Sequence, residues 1–181
     1  MAAKLPYRIV ESRELYRGHH ITLFKDRFVL DAVKNKIVTR ELIAHPGAVA
    51  IVPFASKNEI LLLRQFRYSA QGDMLEIPAG TLEKGEKPLT CAKRELEEET
   101  GFRAKRWKFL AKFYSAPGIS NEIMWLYRAD GLVPGKKQLD HDEFITHTKI
   151  PLKRAETLVR SNHIQDGKTI AGILWALHFG Q

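Results

Sequence analysis

A single cysteine, Cys91, stands in a chain of 181 residues, so no disulfide can form within it and stability must come from a buried core. One thiol and no bridge suit a reducing cytosol. Long apolar runs are also missing: the widest, around Ile60–Leu63, has the length of a strand and not of a membrane span. The opening MAAKLPYRIVESRELY has no apolar stretch of the kind a secretory signal needs. No repeat, low-complexity tract or Ser/Gly-rich linker interrupts the chain. Acidic residues are in the minority, 21 against 29 Lys+Arg, which leaves a formal net charge of +8. That excess suits either solubility or an anionic partner, but the cations are scattered and form no arm of a dedicated nucleic-acid binder. These features together predict a soluble, cytoplasmic, globular protein without membrane attachment.

The first forty residues read as strands in PYRIVES, HITLFKDRFVL and KIVTRELI, joined by short turns. GAVAIVPF and ILLLRQFRY, separated by the turn ASKNE, predict a hairpin, and MLEIP a further short strand broken by Pro78 and Gly80. Pro88 suits the first position of a helix running to Thr100, with Gly101 as its stop. WKFLAKFY, EIMWLYRA and FITHTKI follow as strands. Pro151 opens a helix through PLKRAETLVRS, and GKTIAGILWALHF closes the chain as another, with Ile170, Ile173, Leu174 and Leu177 on one side. Strands and helices mix without regular βαβ alternation, which predicts an α+β or α/β/α sandwich: a mixed sheet between helices. A small antiparallel β lobe over residues 1–43 precedes a main domain over 44–181.

The helix Pro88–Thr100 carries Glu95, Glu97, Glu98 and Glu99. At about 100° per residue, Glu98 and Glu99 fall about 60° and about 40° to either side of Glu95, while Glu97 points away into solvent. Three carboxylates within a turn repel one another and raise each other's pKa. A hard divalent cation removes the conflict, because Mg²⁺ favours oxygen ligands and sits between carboxylates and phosphates. The alternative is a solvated acidic face. Arg94 flanks the cluster, where it can orient a carboxylate.

From Gly80 to Phe102 the chain resembles the Nudix box. Gly80, Glu86, Arg94, Glu95, Leu96, Glu98, Glu99, Gly101 and Phe102 fill its nine defined positions. The resemblance implies the Nudix fold and hydrolysis of a nucleoside diphosphate linked to a further group, with Mg²⁺ or Mn²⁺. It implies Glu95, Glu99 and Glu98 as metal ligands, joined by the carbonyl of Ala79. HPGAVAIVPF, LLLRQFRYSA, LEIPAG and YSAPGISNEI, with Pro117, Ser120 and Glu122, are similar to the ADP-ribose pyrophosphatase branch. That likeness implies hydrolysis of ADP-ribose or a related nucleoside diphosphate sugar to AMP and ribose 5-phosphate, and a homodimer formed through the N-terminal strands.

A proton acceptor for the attacking water is still needed, because metal-bound glutamates serve poorly. The acidic LDHDEFITH segment supplies it: Glu143 is the residue the resemblance implies, with Asp142 as the other choice. Arg67 in RQFR is the expected phosphate clamp, since a guanidinium fork matches a pair of phosphate oxygens. Alternation along the strand sends Arg64 to the opposite face. Arg40 resembles a substrate arginine given by the N-terminal lobe, and Phe28 is one aromatic able to stack on a base. Glu76 is either a substrate contact or ordinary strand polarity. Cys91 reads as packing. GDP-mannose, other nucleotide sugars and RNA 5′ ends remain alternative substrates. A non-catalytic ligand-sensing or nucleic-acid-binding module remains an alternative of another class.

Overall fold

The computed structural model describes residues 6–19, 21–31, 36–139 and 144–179. The chain divides into two compact units, Met1–Pro46 with Ala116–Glu122, and Gly47–Ser115 with Ile123–Gln181.

In the smaller unit, β1 (Tyr7–Arg17), β2 (Thr22–Leu30) and β3 (Ile37–Ala44) form an antiparallel sheet in that order. Register places Glu11 opposite Arg27, and Arg27 Nη1 donates to Glu11 Oε2 at 2.8 Å. Phe28 packs edge-on against Tyr7, their ring centres 5.7 Å apart. The segment Ala116–Glu122, which reads from sequence as a connection between strands, bonds to the end of β3. Ile43 N donates to Ile119 O (2.8 Å), Ser120 Oγ to Ile43 O (3.1 Å) and His45 N to Asn121 Oδ1 (2.8 Å).

The larger unit holds a seven-stranded mixed sheet. Its strands are β4 (Ala48–Phe54), β5 (Glu59–Arg67), β6 (Gly72–Glu76), β7 (Ala79–Thr81), β8 (Phe102–Tyr114), β9 (Ile123–Pro134) and β10 (Ile145–Pro151). The order is β10-β5-β4-β9-β8, with β6 added on β5 and β7 on β4. β4 and β9 run parallel, and the remaining pairs are antiparallel. The predicted hairpin is paired only at Phe54↔Ile60, because the start of β4 is taken by β7. Strand β8 lies at the end of the order and exposes Arg103, Lys105, Arg106, Lys108 and Lys112.

All seven residues of β4 are buried, as expected of a strand covered on both faces. Val49 and Ile51 join Leu82 and three residues of α1 (Pro88–Thr100), namely Cys91, Ala92 and Leu96. Ala48, Ala50, Val52 and Phe54 join the opposite cluster. It includes Ala155 of α2 (Leu152–Arg160), and Ile173 and Ala176 of α3 (Gly167–His178). Period-two alternation on one strand thus serves two helical layers. Gly172 lets α3 approach closely, since a Cβ there would lie 2.8 Å from Ile77 Cδ1 and 3.0 Å from Val52 Cγ2.

Four local expectations are corrected. Gly80 does not break a strand but lies inside β7, where the short pairing with β4 needs no side chain. Pro151 ends β10 and caps α2 instead of occupying its first helical position. The buried face of α3 is Thr169, Gly172, Ile173 and Ala176, with Leu174 exposed. Glu97 does lie at the surface, but it is not left to solvent alone: Arg103 Nε donates to it at 2.7 Å and the Lys136 backbone N–H at 3.0 Å.

Leu96 is fully buried between α1 and the sheet. Leu96→Ala is expected to lower unfolding stability by about 2–5 kcal/mol, read as a lower urea midpoint at unchanged m-value.

Candidate active site

Pro88 starts α1 without needing a backbone donor, and Gly101 ends it at φ 73°, its N–H on Glu97 O at 2.8 Å. Between these stops the helix presents Glu95 and Glu99 toward β7. Glu99 is only 4% exposed, and its Oε2 accepts the Ala79 N–H at 3.0 Å. Glu95 lies directly over Gly80, where a Cβ would come within 1.9 Å of its carboxyl group. Only glycine admits that approach. Two carboxylates four residues apart on α1 therefore meet two adjacent residues of β7.

Arg94 compensates the acids from within. Its Nη1 donates to Glu95 Oε1 (2.6 Å) and Glu98 Oε2 (3.0 Å). Its Nε and Nη2 form a fork on Glu86 at 3.1 and 3.0 Å, and Nη2 also reaches Thr81 O at 3.3 Å. The hydrogen bond from Arg94 holds Glu86 below the usual carboxylate range, against a smaller upward push from burial. The same bond raises the guanidinium's own pKa. Burial, with Glu95 nearby, pushes the Cys91 thiol up, so it stays protonated, in keeping with a packing role.

A second charge network lies at the end of β5 and β6. Arg67 Nε and Nη2 donate to Glu76 Oε1 and Oε2, both at 2.7 Å. Glu76 is 2% exposed and also binds Lys168, which reaches Asp166 Oδ1 at 3.0 Å. Burial would raise the Glu76 pKa, but Arg67 and Lys168 outweigh it and leave the carboxyl below its ordinary value. The bond to Glu76 raises the Arg67 pKa, and Glu99 lies close enough to add to that rise. Asp166 caps α3, accepting the Thr169 N–H at 3.0 Å, while Thr169 Oγ1 accepts the Ile77 N–H at 2.8 Å.

Of the residues expected from sequence, Ala79, Glu95, Glu98 and Glu99 come together around β7 and Arg94. Arg67 and Glu76 are joined to each other, which gives Glu76 the task of holding a guanidinium. Arg64 is exposed, on the face opposite Arg67. Arg40 lies on β3 in the smaller unit, exposed, with Nη1 on Thr39 O at 2.8 Å. Glu143 and Asp142 lie outside the described residues. Lys168, Asp166 and Thr169 were not anticipated. A lysine in the first turn of a helix, set against the macrodipole, was the available signal.

The side chains that meet β7, Glu95 and Glu99, offer carboxylate oxygens, the donor type a hard divalent cation takes. Among the described residues no three His, Cys, Asp or Glu side chains are grouped as a metal cage, and the charge of Glu95 and Glu98 is met by Arg94.

Mixed sheet, flanking helices and a glutamate helix docked on a glycine strand define a Nudix hydrolase domain. The NUDIX domain profile matches residues 44–171, and the chain belongs to that family. It is 37% identical to an ADP-ribose pyrophosphatase of Bacillus subtilis (strain 168), over 93% of this chain and 91% of that protein. It is 35% identical to a methanol dehydrogenase activator of Bacillus methanolicus, over 92% and 90%. A crystal structure of an ADP compounds hydrolase superposes with a TM-score of 0.84 at 22% identity, over 96% and 93%, and shares the fold. Nudix hydrolases generally depend on divalent metal ions.

Because the folded-state pKa of Glu76 lies below its ordinary 4.5, its network contributes fully above that value and is lost as pH falls through the folded-state value. Glu76→Gln is therefore expected to cost about 3 kcal/mol at pH 7. The deficit should shrink on acidification below pH 4.5, as followed by urea unfolding across pH.

Proposed function

We propose that this chain hydrolyses the pyrophosphate bond of ADP-ribose or a related nucleoside diphosphate sugar. Water adds to one phosphorus, the P–O–P link breaks, and AMP and ribose 5-phosphate leave. The observation that carries this reading is the convergence of Glu95 and Glu99 on Gly80 and Ala79, with Arg67 within electrostatic reach of Glu99. Oxygen donors and a guanidinium side by side suit a diphosphate and its counter-cation. The similarity to an ADP-ribose pyrophosphatase over most of both chains supports the substrate class.

Ala79 O, Glu95, Glu98 and Glu99 would hold Mg²⁺ or Mn²⁺. Bound there, the ion neutralises phosphate charge and lowers the pKa of water. Arg94 steers Glu95 and Glu98 into place from the side away from substrate, because its own fork is fixed on Glu86. Arg67 receives a phosphate oxygen. Glu143, with Asp142 as the alternative, takes the proton of the attacking water.

Two copies pair through the β1–β3 sheet, each copy offering Arg40 to the substrate of the other. Every residue of β1 is exposed, and Ile9, Val10, Leu15 and Tyr16 are among the large apolar side chains left open to solvent. Such a surface favours burial against a copy of itself. The cytoplasm is the proposed compartment; among the described residues no helix is long and apolar enough to cross a membrane.

A panel of ADP-ribose, ADP-glucose, GDP-mannose, diadenosine polyphosphates and 5′-triphosphate RNA, each with and without Mg²⁺, tests the substrate. ADP-ribose turnover that needs the metal is expected; preference for the RNA overturns the reading. Glu99→Gln should cut kcat by about 100-fold or more with the circular dichroism spectrum unchanged. Ile9→Glu with Tyr16→Glu should convert a dimer into a monomer in light scattering. A parent protein that is already monomeric refutes the pairing.

A further inference from the structure

Lys168 holds the second position of α3, where the positive end of the helix dipole disfavours a cation. Two carboxylates offset that. Its Nζ bridges Asp166 Oδ1, at 3.0 Å, and Glu76 Oε2, and its side chain is 15% exposed. Glu76 uses both oxygens on the Nε and Nη2 edge of Arg67 and leaves Nη1 outside that fork. The next residue along, Thr169, takes the N–H of Ile77, the next residue after Glu76. The first turn of α3 is thus fastened to the end of β6 at two adjacent positions.

We propose that Lys168 is a positioning residue which, through Glu76, holds the Arg67 guanidinium ready for a diphosphate oxygen beside the carboxylates of α1. The inference rests on the nucleoside diphosphate reading of the same site. Its physical basis is preorganisation: a long side chain already fixed on a rigid carboxylate loses little freedom when an oxyanion arrives. Glu76 alone does not achieve this. Arg67 engages both oxygens of Glu76, and Lys168 adds a second cation on Oε2 from the opposite element, α3. The four charges, Arg67, Lys168, Glu76 and Asp166, balance, so the cluster has no net need of a phosphate to stay folded. Arg67 is bonded to Glu76 and Glu99 to Ala79, three residues further along, which brings the guanidinium to the Glu99 end of α1.

A purely structural lysine would affect stability and leave binding alone. The distinguishing measurement uses Lys168→Met and Lys168→Arg in the parent and in Arg67→Ala. One readout is solvent exchange of the Arg67 Nε–H by NMR, assigned with Arg67→Ala. The others are the affinity for inorganic pyrophosphate and, for ADP-ribose, KM and kcat. In Lys168→Met, exchange at Arg67 Nε should quicken about tenfold and KM rise about tenfold, with kcat within about twofold of the parent. Lys168→Arg should restore both. In Arg67→Ala, Lys168→Met should add nothing further. Unchanged Nε exchange in folded Lys168→Met, or an equal loss of affinity in the Arg67→Ala background, overturns the proposal. Should Lys168→Met not fold, Lys168→Gln carries the same comparison. A parent protein that turns over no nucleotide sugar refutes the functional reading alone, since the exchange measurement still decides whether Lys168 fixes Arg67.

Discussion

From the last residue of β6 to the first of β7 the chain runs Glu76, Ile77, Pro78, Ala79, and these four give polar groups to β5, α3, β4 and α1. The Glu76 carboxylate takes Arg67 of β5 and Lys168 of α3; the Ile77 N–H goes to Thr169. Pro78 O accepts the Ile51 N–H of β4 at 2.8 Å, and the Ala79 N–H meets Glu99 of α1. An irregular stretch inside a sheet normally leaves buried donors and acceptors without partners, at a cost of about 1–3 kcal/mol each. Here those groups become the fastening between sheet and helices. The carboxylates of α1 and the guanidinium of β5 stand where they do because both are referred to the same four residues.

The acids gathered there do not depend on an ion for their tolerance of one another. Arg94 lies among Glu86, Glu95 and Glu98 at 2.6 to 3.1 Å, and Lys168 and Arg67 do the same for Glu76. Breaking a buried pair costs far more than forming it gains, because the remaining charge is left in a poorly solvating interior. The arrangement therefore specifies one geometry more than it adds stability.

Sequence carried much of this. The helix bounded by Pro88 and Gly101, the shared face of Glu95, Glu98 and Glu99 and the opposed faces of Arg64 and Arg67 all follow from local periodicity and the chemistry of single residues. Where the reading failed, the missing information was long-range. Gly80 looks like a breaker until β4 is seen beside it. Glu97 looks solvated until Arg103 and Lys136 arrive from β8 and the chain after β9. The partnership of Glu76 with Lys168 spans 92 residues and has no periodic signature. Ala116–Glu122 reads as a loop because its hydrogen bonds go to Ile43 and His45, more than seventy positions earlier.

The open margin of the larger sheet is a row of cations. β8 ends the strand order, bonded to β9 on one side, and the other edge of a 13-residue strand offers a template for backbone pairing with a neighbouring chain. Arg103, Lys105, Arg106, Lys108 and Lys112 stand along it, so two such margins approaching each other meet mutual repulsion before their amides can align. Charge along this edge opposes lengthening of the sheet into a fibre.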